Sequence, residues 1–169
     1  MTLPRRARVV RPTLLIVGEG YAEKFLLQYL RSIYTANMQG PSVTIANARG
    51  KGAKNVINQA IALARGYNAV GALFDTDTDW STEVERRGRK NGILMFAAAP
   101  CLEGLLLDIA GRRPLDTAAA NKQAFLRQFN GHAHEEKLIA RHFSKEMFDL
   151  ARSRIDTLNA LLDAFGHQS

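Results

Sequence analysis

Four short apolar runs divide the first two thirds of the chain: residues 13–18, 42–46, 69–74 and 93–97. The first reads as a strand buried on both faces, which occurs where helices cover both sides of a parallel sheet; the second is a β-branched strand, and the third and fourth are further apolar strands. The intervening segments supply those helices. Phe25, Leu26, Tyr29, Leu30 and Ile33 recur at helical spacing within 22–37, before the Gly40-Pro41 stop. Val56, Ile57, Ala60 and Leu63 form a second apolar face within 56–64, and residues 81–90 form a polar helix. Pro100 precedes a further helix that starts at Cys101 or Leu102. The order predicts an α/β fold with a four-stranded, mainly parallel sheet flanked by helices. Past Gly111 no strand is expected; residues 121–129 and 135–165 read as helices, the second broken near Phe143 and Ser144.

With 169 residues, 46% of them hydrophobic and 23% charged, the chain has enough apolar material for a core and is no candidate for disorder. The organisation expected is a basic leader (1–12), an α/β domain (13–112) and a helical C-terminal extension packed on it (113–169). No apolar run is long enough to span a membrane. The leader has basic residues but no signal-peptide core, and the single cysteine, Cys101, has no internal disulfide partner. A cytoplasmic protein with no membrane association is expected.

Charge is unevenly distributed. Residues 1–66 carry a net +8, residues 67–110 a net −3 and residues 111–169 a net +2. A basic chain with one acidic segment suits a polyanionic ligand whose reacting bond is approached through cations held by carboxylates. Many basic proteins bind no nucleic acid, so the pattern of individual residues has to decide.

Ligands of open parallel sheets bind beyond the carboxyl ends of the strands. Glu19 follows the first run, the NARGKGAK loop the second, Asp75, Asp77 and Asp79 the third, and Glu103 the fourth. In extended backbone the three aspartates share one side, and hard cations such as Mg²⁺ take carboxylate oxygens. A solvated turn in which Asp79 or Ser81 caps the next helix is the plainer account, with Asp79 favoured as the cap. Glu19 stands between Gly18 and Gly20; taken alone, it is a charge that suits a helix N-terminus. Arg49, Lys51 and Lys54 offer cations to phosphate, although the Walker spacing is absent. His132 and His134 lack the cysteine partners of a structural zinc site. Cys101 reads as a buried thiol rather than a nucleophile.

Four segments taken together resemble the TOPRIM fold of topoisomerases, bacterial primases and OLD-type nucleases, and within it the RloB-like proteins. They are RRARVVRP, LLIVGEGYAEKFLLQYL, ALFDTDTD and APCLEGLLLDI, in that order over residues 5 to about 110. The last is similar to the N-P-C-F-E-L-W segment of RloB-like proteins. The sequence departs from that pattern at Ala22, where the family has threonine, at Leu102 for phenylalanine, and at Gly104-Leu105 for leucine and tryptophan. The resemblance implies a Rossmann-like TOPRIM domain and a Mg²⁺- or Mn²⁺-dependent nuclease of bacterial defence or mobile elements, acting on DNA or RNA. It implies Glu19, Asp75 and Asp77 as catalytic and metal-binding residues, Glu103 as a further metal ligand, and Glu23 as a supporting carboxylate; Asp79, the third member of the array, is a candidate metal ligand from its spacing. An ATPase partner protein is also implied. The alternative is a non-catalytic nucleic-acid-binding or partner-binding module with a degenerate site.

Two structural expectations follow. The carboxylates of Glu19, Asp75 and Asp77 should converge, with Glu103 close behind. Leu158, Leu161, Leu162 and Phe165 should leave apolar surface for a homodimer or a partner.

Overall fold

The alternation of buried side chains along the central strands organises the fold. In the computed structural model, which describes residues 10–166, β1 (Thr13–Gly18) directs Leu14 and Ile16 to one face of the sheet and Leu15 and Val17 to the other. All four are buried, which accounts for the unbroken apolar run. The other strands are β2 (Ser42–Asn47), β3 (Ala69–Asp75) and β4 (Leu94–Ala98). All pairings are parallel and the order is β2-β1-β3-β4, so β1 and β3 are the inner strands. Gly18 pairs with Asn47 on one side and Leu73 on the other, and Asp75 pairs with Ala98.

Helices α1 (Tyr21–Tyr34), α2 (Gly52–Leu63), α3 (Thr82–Lys90) and α4 (Leu102–Ile109) connect or follow the strands. α2 and α3 pack over Leu15, Val17, Val70, Ala72 and Phe74. α1 and α4 cover the opposite face together with α5 (Ala118–Phe129), α6 (Leu138–His142), α7 (Lys145–Ala151) and α8 (Asp156–Ala164). The predicted break at Phe143 and Ser144 is present, and a second interruption separates α7 from α8. α2 begins four residues earlier than its apolar periodicity indicated, because Gly52 and Ala53 are themselves buried against the sheet layer.

The C-terminal segment contributes to the same apolar core as the sheet. Phe125, Phe143, Phe148 and Leu158 form one cluster with Leu14, Leu73 and Phe96. Polar anchors reinforce it: the Tyr29 hydroxyl donates to the Phe143 carbonyl at 2.5 Å, Tyr34 to Asp149 at 2.6 Å, and Thr157 to the Ala97 carbonyl at 3.1 Å. The Arg154 guanidinium pairs with Asp108 on α4. Leu158, Leu161, Leu162 and Phe165 are each at most 1% exposed within the single chain. The expectation of an exposed stripe there is therefore corrected: helix spacing identified the apolar face, but that face is covered by the chain's own sheet layer, and it offers no surface to a second subunit.

Burial of this kind has a measurable consequence. Leu161→Ala should lower unfolding free energy by about 2–5 kcal/mol in urea titrations, the usual range for emptying a packed leucine site. Leu150→Ala, at a residue 77% exposed, should change it by less than about 0.5 kcal/mol.

Candidate functional site

The inner strands end side by side, and the candidate site is built where they end. Beyond β1, the Glu19 backbone N–H still donates to the Leu73 carbonyl at 3.0 Å, so Glu19 continues the sheet register by one residue. Its carboxylate Oε2 then accepts the backbone N–H of Asp75 at 2.9 Å. The Asp75 carboxylate turns toward α4, where Oδ1 accepts the Leu102 N–H at 2.9 Å. Glu23 reaches back from the first turn of α1 and accepts the Gly20 N–H at 2.8 Å. Gly18 permits that approach, since a Cβ there would stand 2.9 Å from the Glu23 Cβ.

These contacts place Glu19, Glu23, Asp75 and Glu103 around one cleft of about 270 Å³, which Gly20, Tyr21, Ala22, Gly50, Lys122 and His134 also line. A larger concavity of about 790 Å³ lies along α3, but among the described residues only side chains of that one helix line it. The acidic cleft is the one in which chemistry-bearing groups from separate elements meet.

Burial and crowding alter the proton affinity of this cluster. Desolvation pushes the Glu23 carboxyl up to about 7, assisted by the charges of Glu19 and Glu103. Asp75 is raised to about 8, again first by burial and then by Glu23, Glu19 and Glu103, against the lowering effect of the Leu102 amide. Cys101, buried beside the same carboxylates, is pushed up to about 12 mainly by desolvation and stays a thiol. Burial alone would depress Lys122, but the charges of Glu103 and Asp75 outweigh it and raise its pKa. Lys122 thus stays charged beside the carboxylates.

The remaining aspartates do not join this lining. Asp77 is exposed and accepts from the Thr78 hydroxyl at 3.2 Å, although its charge is felt by Lys122. Asp79 lies over the start of α2: its Oδ1 is 3.4 Å from the Lys54 N–H and would be 2.5 Å from a Cβ on Gly52. Ser81, not Asp79, caps α3, its hydroxyl accepting the Val84 N–H at 3.3 Å. Alternate spacing put the three aspartates on one side only if the backbone stayed extended, and β3 ends at Asp75.

The basic loop approaches the cleft through its backbone. Gly50 N–H donates to the Glu19 carbonyl at 2.7 Å, and the Asn55 side chain holds the Ala48 and Gly50 carbonyls. Arg49, Gly50, Lys51 and Gly52 all have positive φ, between 61° and 84°, and this tight turn brings the loop back to the strand end. Arg49, Lys51 and Lys54 are exposed.

Lys122 and His134 come from the C-terminal segment and were not expected here. Lys122 lies in an ordinary helical pattern, and nothing local marks it as part of a distant cleft. His134 stacks on His132 with ring centroids 5.1 Å apart. The histidine pair was visible in the sequence, but its position opposite the strand ends was not. Gly104 and Asn121 explain how α5 approaches: Asn121 is fully buried and binds the Leu115 N–H and carbonyl, and it stands 3.3 Å from where a Gly104 Cβ would be. The absence of a side chain at Gly104 therefore leaves room for Asn121 of α5.

Among the described residues, no three His, Cys, Asp or Glu side chains are disposed as a closed ligand set. The donor chemistry nevertheless fits a hard divalent cation: the carboxylates are oxygen donors. Glu19 and Asp75 each commit one oxygen to a backbone amide, which fixes the carboxylate's direction and leaves the other oxygen to a ligand. No protein-family model, curated protein or solved structure matches the chain.

The raised carboxyls make stability depend on pH in a defined direction. Both Glu23 and Asp75 hold protons to higher pH in the folded chain than in the unfolded one, so their contribution falls as pH rises from about 4 through 7 to 8. The Tm advantage of Asp75→Asn over the unsubstituted protein should therefore widen between pH 5 and pH 8 in chelator. A constant difference across that range would contradict the electrostatic account.

Proposed function

We propose that the chain is a metal-dependent nuclease of the TOPRIM type, akin to RloB-like proteins, that cleaves phosphodiester bonds of DNA or RNA. The observation that supports this best is the meeting of Glu19, Glu23, Asp75 and Glu103 in one cleft at the carboxyl ends of the inner strands, beside an exposed cationic loop. Glu19, Asp75 and Glu103 would hold Mg²⁺ or Mn²⁺. The bound ion supplies charge that neutralises the scissile phosphate and promotes water as the nucleophile.

The chain's own residues account for the other requirements. Arg49, Lys51 and Lys54 bind backbone phosphates, which determines affinity without reading sequence. Lys122 provides a fixed positive charge in an otherwise acidic cleft and would bind a phosphate oxygen there. Glu19, held by the Asp75 amide, would with its other oxygen either ligate the ion or accept the proton of the attacking water. Glu23 orients the turn at Gly20 from behind. Asp77, whose charge acts on the cleft's Lys122, would be a further ligand from outside the lining, and Asp79 supports the site through its hold on the start of α2. Action in bacterial defence or a mobile element, beside an ATPase, agrees with the resemblance and with a chain that has no phosphate-binding Walker loop of its own.

Mixed nucleic acids incubated with Mn²⁺ test the activity directly. Cleavage should fall at least about a hundredfold in Asp75→Asn, as for loss of a central transition-state contact, while nucleic-acid affinity is kept or rises. Joint replacement of Arg49, Lys51 and Lys54 by alanine should weaken binding and reduce its salt dependence. No cleavage by the unsubstituted protein, with binding intact, would favour the non-catalytic binding module.

A further inference from the structure

Among the described residues, Tyr21 is the one large aromatic side chain that lines the acidic cleft, and it is 61% exposed. It opens α1 two residues after Glu19. Its ring lies 6.0 Å from that of Phe25, which braces it from the next turn, and the Lys24 ammonium is 5.9 Å from the ring centroid. The basic loop adjoins the same rim, because Gly50 lines the cleft with Arg49 and Lys51 on either side of it.

An exposed aromatic ring among cations, at the edge of a phosphate-cleaving cleft, has the chemistry of a base-stacking platform. Phosphates go to the cations and a flat apolar base face goes to the ring. Bases paired within a duplex cannot present that face, whereas unpaired bases can. Resting on the nuclease reading above, we infer that the substrate is single-stranded nucleic acid, and that Tyr21 stacks the base next to the scissile phosphate. Stacking is indifferent to base identity, so the site selects strand state rather than sequence.

Binding measured by fluorescence anisotropy in EDTA tests this without requiring turnover. The probes are short labelled dT and rU oligomers, a duplex of equal length, and an equal-length oligomer with abasic sites throughout. The protein should prefer the dT or rU oligomer to both the duplex and the abasic strand. Tyr21→Ala should weaken binding of the base-bearing single strands by about fivefold or more, leave abasic binding unchanged, and have no effect on Tm. Tyr21→Trp should retain the preference. Equal binding of single strand and duplex, or an unaffected Tyr21→Ala, would overturn the inference. Cleavage in Mn²⁺ is scored separately: intact cleavage without strand preference removes the Tyr21 assignment alone, whereas strand preference without cleavage removes the nuclease reading.

Discussion

The parallel pairing of β1 with β3 is the constraint on which the site depends. With Gly18 opposite Leu73, Glu19 emerges beside Asp75, and its carboxylate closes onto the Asp75 amide. A slip of one residue would turn each strand's buried set to the wrong face and separate the two carboxylates. Core and site share one register: in the pairing that packs Leu15 and Val17 under α2, Glu19 stands beside Asp75. Unpaired buried carboxylates are costly. Here each of the three hydrogen-bonded carboxylates faces a backbone N–H, and the residual repulsion appears as the raised proton affinity of Glu23 and Asp75.

The C-terminal helices complete both the core and the cleft. Their aromatic and leucine side chains merge with the sheet's α1 and α4 face, and α5 is seated by the close contact between Asn121 and Gly104. That seating carries Lys122 to the strand ends, where it is the counter-charge to the acidic cluster. The cleft is thus bipolar: carboxylates come from the strand ends and helix starts, and a lysine and a histidine come from the segment that follows the sheet.

Much of this was legible in the sequence, for reasons that differ by element. β1 and β3 were readable because burial on both faces leaves uninterrupted apolar runs, and β2, at the sheet edge, by its β-branched residues; the order of the strands fixed which loops shared an edge. Glu19, Asp75 and Asp77 were accordingly expected together with Glu103 close behind; Glu19, Asp75 and Glu103 line one cleft, and Asp77 is not among its lining residues. The pattern failed where tertiary contacts override local spacing. Asp77 and Asp79 follow the end of β3, and Asp79 is drawn to the start of α2 instead of the cleft. Glu23, expected only as a supporting group, lines the cleft because Gly18 lets α1 fold back closely. Lys122 and the burial of Leu158 to Phe165 depend on how distant helices dock, which periodicity along one helix does not encode.

The proposed nuclease requires that the four-carboxylate cleft bind a divalent cation. Isothermal titration of the purified protein with Mn²⁺ at neutral pH addresses it without assuming any substrate. Stoichiometric binding that is lost in Glu19→Gln and retained in Asp79→Asn is the result predicted. Absence of binding, or binding indifferent to Glu19→Gln, would contradict it.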